Sequence, residues 1–179
     1  MTRASPLPAL WLISDARNDA ALEGALARLP RGSGFIYRHY HLPDPERHLR
    51  FRQLRSIAKA RGHVVILADS ALTAREWGAD GIYGSPRSLA PRRAGLIHLA
   101  TAHGAGELAL AARLGADAAL LSPVFVTRTH PGGGTLGAVR FGLLARQSRL
   151  PVIALGGMTA KRARMLGWPR WAAIDGLSR

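Results

Sequence analysis

Continuous apolar runs and segments of helical period alternate along this chain, joined by short polar connections. The runs lie at 9–14, 34–40, 63–69, 81–85, 96–101, 118–125, 151–156 and 171–175. They are apolar throughout rather than at every second position, as in strands covered on both faces. Between them, apolar residues recur at helical spacing over 19–29, 45–61, 71–77, 106–114, 138–147 and 160–166. A weak internal repeat follows the same order. Trp77-Gly-Ala-Asp-Gly-Ile-Tyr-Gly-Ser-Pro86 matches Leu114-Gly-Ala-Asp-Ala-Ala-Leu-Leu-Ser-Pro123, each a helix end with a glycine stop feeding a strand.

Eight strands with intervening helices predict an α/β fold, a (β/α)₈ TIM barrel formed by one domain over residues 1–179. An open flavodoxin-like sheet is the other arrangement such units adopt, usually with fewer strands. The barrel is a trimmed one. Residues 85–95 carry two prolines and three arginines, which leaves little room for helix four, and the sequence stops at Arg179 without a closing helix after strand eight. A partner subunit, as in a homo-oligomer, or the amino-terminal segment is expected to cover the wall left open.

Composition narrows the classes. No apolar run approaches the roughly 18 to 20 residues that span a bilayer. The first apolar segment is short and leads directly into Asp15 and Arg17, which reads as a strand rather than a signal peptide. Cysteine is absent, so no disulfide framework or thiolate chemistry is available, and a cytoplasmic setting fits. The net charge is +14, carried by arginine apart from Lys59 and Lys161. Its densest group is Arg47, Arg50, Arg52, Arg55, Lys59 and Arg61 on the second helix, with few aromatics and no nucleic-acid motif. This reads as a solvated face that also draws phosphorylated substrates toward the protein, not as a nucleic-acid site.

Candidate chemistry sits in two loops. The stretch Leu120 to Gly137 opens as a buried strand and becomes a loop rich in glycine, with Thr127, Thr129 and Thr135 beside Arg128 and His130. Bare amides, hydroxyls and cations together make an anion cradle. A second strand then runs into Gly156-Gly157-Met158-Thr159. Two such units in succession predict a phosphate site at the carboxyl-end face of the barrel, where each loop alone would be an ordinary connection.

The series Ser122-Pro-Val-Phe125, Thr127-Arg-Thr-His130-Pro, Leu136-Gly137 and Pro151-Val-Ile-Ala-Leu-Gly-Gly-Met-Thr159 resembles the thiamine phosphate synthase superfamily. That superfamily includes the TenI-type thiazole tautomerases and the synthase-like domains fused to Nudix hydrolases. The resemblance implies a cytoplasmic transferase of thiamine biosynthesis acting on phosphorylated pyrimidine and thiazole small molecules. It would join hydroxymethylpyrimidine pyrophosphate to thiazole phosphate and release pyrophosphate with the help of Mg²⁺. It also implies roles: Arg38 for the pyrophosphate, Asp69 for Mg²⁺, Thr101 in place of a serine that assists, and His103 as the histidine two places on. Thr127, Thr129, Gly133, Gly157 and Gly176 would hold the thiazole phosphate.

Several positions depart from the pattern. The second acidic position for magnesium aligns with Ser88, the lysine after Thr-x-Thr is His130, and a cation near Arg38 is Tyr40. Asp175 stands where a phosphate-contacting serine is expected. Three readings therefore remain: a synthase; a tautomerase needing only an acid–base such as His130 or His103; or a non-catalytic binding relative. For single residues, Asp69 reads equally as a ligand or a helix cap. His103 reads as a capping or supporting residue, and His130 as the better acid–base candidate. His39 and His41 share a strand face and could join Asp69 on a metal, though a structural role is favoured. Glu107 is expected to face solvent, and Trp168 and Trp171 to close the barrel floor.

Overall fold

The computed structural model describes residues 7–127 and 134–178. Eight parallel strands form one closed barrel in sequence order: β1 (Leu10–Ile13), β2 (Gly34–Tyr37), β3 (Val64–Leu67), β4 (Gly81–Gly84), β5 (Ile97–Ala102), β6 (Ala118–Leu121), β7 (Val152–Ala154) and β8 (Trp171–Ala173). The helices are α1 (Leu22–Arg28), α2 (Asp44–Ala60), α3 (Ala71–Trp77), α4 (Ala105–Arg113), α5 (Gly137–Gln147) and α6 (Ala160–Leu166). The TIM-barrel expectation holds, and the open flavodoxin-like alternative falls because β8 pairs with β1. No helix among the described residues is long and apolar enough to cross a membrane.

Local chemistry sets the boundaries. Ser70 caps α3 by accepting from the Thr73 amide, and Gly78 ends it at φ +71°. Thr159 and Gly167 do the same for α6. The helical pattern expected from residue 19 starts earlier, because Asp15 and Asn18 form a capping box over a 3₁₀ turn at Ala16–Ala21 that leads into α1. The run expected to carry β2 to residue 40 stops at Tyr37, and His39 takes a left-handed φ of +40°. The connection between β4 and β5 is turns rather than a helix, as its prolines suggested. After β8 the chain makes a 3₁₀ turn at Asp175–Leu177, and Leu177 packs against both outer apolar clusters.

Alternation along the strands sorts side chains into barrel interior and outer layer. Trp11, Ile13, Ile36, Ile66, Leu99, Leu120, Ile153 and Ala172 fill the interior. Leu12, Phe35, Tyr37, Val65, Leu67 and Ile82 face outward into the helices. The floor belongs to Trp11 and Leu7, not to the tryptophans expected there. Trp168 and Trp171 belong to the outer layer, where Trp168 packs edge-on to Phe141.

The basic helix α2 is not the solvated face its composition suggested. Arg47 is buried, Arg50 pairs with Asp19 and Glu23, Arg55 donates to the Gly78 carbonyl, and Lys59 pairs with Asp80. These cations tie α2 to the loops on either side of it.

Candidate functional site

The same alternation builds the mouth. One step beyond the interior layer, the inward positions are Arg38 after β2, Tyr83 in β4, Thr101 in β5, Ser122 after β6, Leu155 after β7 and Ile174 after β8. All six line a cavity of about 810 Å³ at the carboxyl ends of the strands. Three connections close its other side: Pro123 to Thr127 after β6, Gly156 to Arg162 after β7, and Asp175 with Gly176 after β8.

These loops approach one another too closely for side chains. A Cβ on Gly156 would stand 2.6 Å from the Pro123 Cα, one on Gly157 2.4 Å from the Val126 carbonyl oxygen, and one on Gly176 2.2 Å from the Met158 carbonyl oxygen. Gly157 also takes φ +60°. Lys161 and Arg162 supply cations to this wall, with Arg162 donating to the Gly157 carbonyl and lying over the Phe125 ring.

Across the cavity, Arg38 Nη2 donates to Asp15 Oδ2 at 3.0 Å, and Asp15 Oδ1 accepts from Arg17 Nε at 2.9 Å. Burial raises the Asp15 carboxyl, but its bonds to Arg17 and the charge of Arg38 outweigh that and hold it below its usual range. Asp175, a candidate source of phosphate repulsion, lies 3.7 Å from Arg17 Nη1. Tyr83 stands beside Arg38, and burial pushes its phenol upward, so it remains a hydroxyl. At the rim, His103 Nδ1 and Glu107 Oε2 are 3.0 Å apart, and Glu107 also accepts from the His103 amide. Glu107 thus faces solvent, as expected, while also bonding the histidine and the start of α4.

A family model described as thiamine monophosphate synthase matches residues 10–172. The chain belongs to this family. Among curated proteins it is similar to "Putative thiamine-phosphate synthase 2" of Aquifex aeolicus, 26% identical over 167 residues, covering 89% of this chain and 90% of that protein. Among solved structures it is similar to a thiamine phosphate pyrophosphorylase from Pyrococcus furiosus, with TM-score 0.76, 22% identity and coverage of 94% and 89%. A thiamine phosphate pyrophosphorylase from Bacteroides thetaiotaomicron matches at TM-score 0.57 and 15% identity, covering 94% of this chain and 82% of that one. These two likenesses carry the fold.

Within the family's barrel, the structure brings Arg38, Thr101, Thr127, Gly157 and Gly176 together around one cavity. Thr129, His130 and Gly133 lie outside the described residues. Asp69 does not line the cavity. It follows Ala68, which faces the interior, so it falls on the outward side, where Arg47 Nη1 donates to Asp69 Oδ2 at 2.6 Å. Burial raises the Asp69 carboxyl, but Arg47 and the Ser70 amide hold it below its ordinary value. The cap of α3 is Ser70, not Asp69.

The family implies Mg²⁺, and the described residues do not fit it. The Asp69 carboxylate is taken by a guanidinium, and the exposed Ser88 hydroxyl donates to the Ser85 carbonyl at 2.9 Å. Among the described residues, no three His, Cys, Asp or Glu side chains gather to hold a metal. His39 and His41 have adjacent rings, but His39 is committed to Ser14 and Asp19 at 2.8 Å each. Sequence reasoning passed over Tyr83, Ser122, Leu155 and Ile174. Counting two residues on from Leu120, Ile153 and Ala172 would have found the last three, and strand alternation from Gly81 would have found Tyr83.

Proposed function

We propose that this cytoplasmic member of the family binds the phosphate ester of a small thiazole in its cavity and shifts a proton on the ring without a divalent cation. Of the activities the resemblance implies, this is the tautomerase. The observation that carries the reading is His103 in the cavity lining, paired at the rim with Glu107. Glu107 Oε2 lies 3.0 Å from Nδ1, which leaves Nε2 as the nitrogen to exchange a proton with the ring. The same ring then returns that proton to another ring atom, so the isomerisation balances with no co-reactant. The glycine loops after β7 and β8 with Lys161 face the phosphate, and Arg38 stands across from it. Ser122, Thr101 and Tyr83 offer hydroxyls along the ring's path.

A second reading, the synthase, is favoured by the names of the relatives from Aquifex aeolicus and Pyrococcus furiosus. Incubation of the protein in deuterated water with the thiazole phosphate tautomer, and separately with both synthase substrates, with Mg²⁺ or with EDTA, distinguishes the two. The expected result is isomerisation with deuterium incorporation in EDTA. His103→Gln should lower it by about 10²–10⁴-fold while ligand affinity is kept. Thiamine phosphate formed only with Mg²⁺ would instead establish the synthase. Binding without turnover in either assay would leave a ligand-binding relative.

A further inference from the structure

We infer that Arg47 is a built-in cation that does the organising work of a divalent ion at the β2–β3 edge of the mouth. Its three nitrogens gather three oxygens from two successive strand ends: Nη1 donates to Asp69 Oδ2 at 2.6 Å, Nη2 to the Ala68 carbonyl at 3.0 Å, and Nε to the Arg38 carbonyl at 3.0 Å. One carboxylate and two carbonyls make a hard oxygen set of the kind Mg²⁺ takes. Here a guanidinium fills it with fixed geometry and without an ion to strip of water.

The surroundings are built for that guanidinium. Arg47 is 5% exposed. Its Cζ lies 5.9 Å from the Tyr37 ring centroid, 5.7 Å from that of Tyr40 and 5.5 Å from that of Trp77, so three aromatic faces surround it. The Tyr37 hydroxyl donates to the Arg47 carbonyl at 2.8 Å and fixes this turn of α2. Tyr40 also lies over Arg38, its ring centroid 5.8 Å from Cζ, so one ring covers both cations. The position expected to carry a further cation thus carries the cover instead. Because Nε holds the Arg38 carbonyl, Arg47 is a positioning residue for the Arg38 side chain that enters the cavity.

The inference concerns the mouth's architecture and stands apart from the proton transfer at His103. Its test uses the ligand-free protein. Mn²⁺ titration followed by electron paramagnetic resonance is expected to leave the native protein without bound Mn²⁺ at millimolar metal. In Arg47→Met, Asp69 and the two carbonyls are released, and Mn²⁺ affinity is expected to rise by about tenfold or more. Arg47→Leu likewise leaves Asp69 without its donor and serves where Met does not fold. In both, a further Asp69→Asn change should remove the gain. Mn²⁺ bound by the native protein and lost in Asp69→Asn would overturn the inference. So would a folded Arg47 variant that gains no Mn²⁺. Failure of thiazole phosphate to bind would sink the functional reading and leave this test untouched.

Discussion

A Cβ on Gly34 would stand 2.0 Å from Cε3 of Trp11, its partner in the β1–β2 register. Trp11 is fully buried, and its indole donates to the Pro8 carbonyl at 2.8 Å, so the ring has no room to retreat. The floor of the barrel is one indole laid over one bare backbone position. Gly34→Ala is therefore an overpacking substitution, expected to cost about 1–3 kcal/mol. For a chain of this length, that lowers Tm by roughly 2–12 °C. Thermal melts should also show partial recovery in Gly34→Ala/Trp11→Phe, whose smaller ring admits the methyl.

Six helices and eight strands were legible because each strand is apolar on both faces, which only a doubly covered sheet requires. What went astray did so for definable reasons. Aromatic continuity through Tyr40 lengthened β2, whereas His39 turns left-handed to meet Ser14 and Asp19. Asp69 looked like a mouth residue by position in sequence, but its place after the inward Ala68 sends it to α2. The arginines of α2 looked solvated because half their partners are backbone carbonyls, which composition does not register. The two glycine loops were legible as neighbours because each follows an apolar strand, and the structure brings them to one wall of the cavity, while the third connection that meets them, at Gly176, carried no such spacing.

Gly157→Ala is expected to weaken thiazole phosphate binding by about tenfold or more. Its methyl would meet the Val126 carbonyl, and a left-handed φ of +60° strains any other residue there. The left-handed backbone alone costs about 1–2 kcal/mol. Gly142 is the control, lying within α5 with nothing within 4 Å of its Cβ position. Gly142→Ala should stabilise the fold by about 0.5–1 kcal/mol and leave binding unchanged. Calorimetry on both variants separates loop geometry from general effects of alanine.

Arg38→Met should remove a charge-assisted contact to the bound anion worth about 1.5–3 kcal/mol, a loss of roughly ten- to 150-fold in affinity. Asp175→Asn should act in the opposite sense. It removes a negative charge from the cavity wall and releases Arg17 from a pair at 3.7 Å, so affinity should rise, and less so at high salt. If Asp175→Asn weakens binding instead, the carboxylate contacts the ligand directly and the phosphate lies elsewhere in the cavity.

His39 makes the fold sensitive to mild acid. Its ring is buried, stacked on Tyr37 at 4.6 Å and held between the Ser14 hydroxyl and Asp19, with Arg50 bonded to that same carboxylate and His41 alongside. Burial lowers its pKa and outweighs the pull of Asp19, which acts to raise it. The folded state therefore binds this proton less readily than the unfolded chain, whose histidine titrates near its ordinary value of 6.5. Stability is full above that value and falls as pH drops below it toward the depressed folded pKa. Asp15, Asp19 and Asp69, also lowered from 3.8, lose their contribution only in stronger acid. His63 and His98 are lowered by burial as well and add to the decline. His39→Asn keeps a side chain that tolerates the left-handed backbone and cannot take the proton. Its Tm should be lower than native at pH 8 but fall less between pH 6.5 and 5, and parallel curves across that window would refute the assignment to His39.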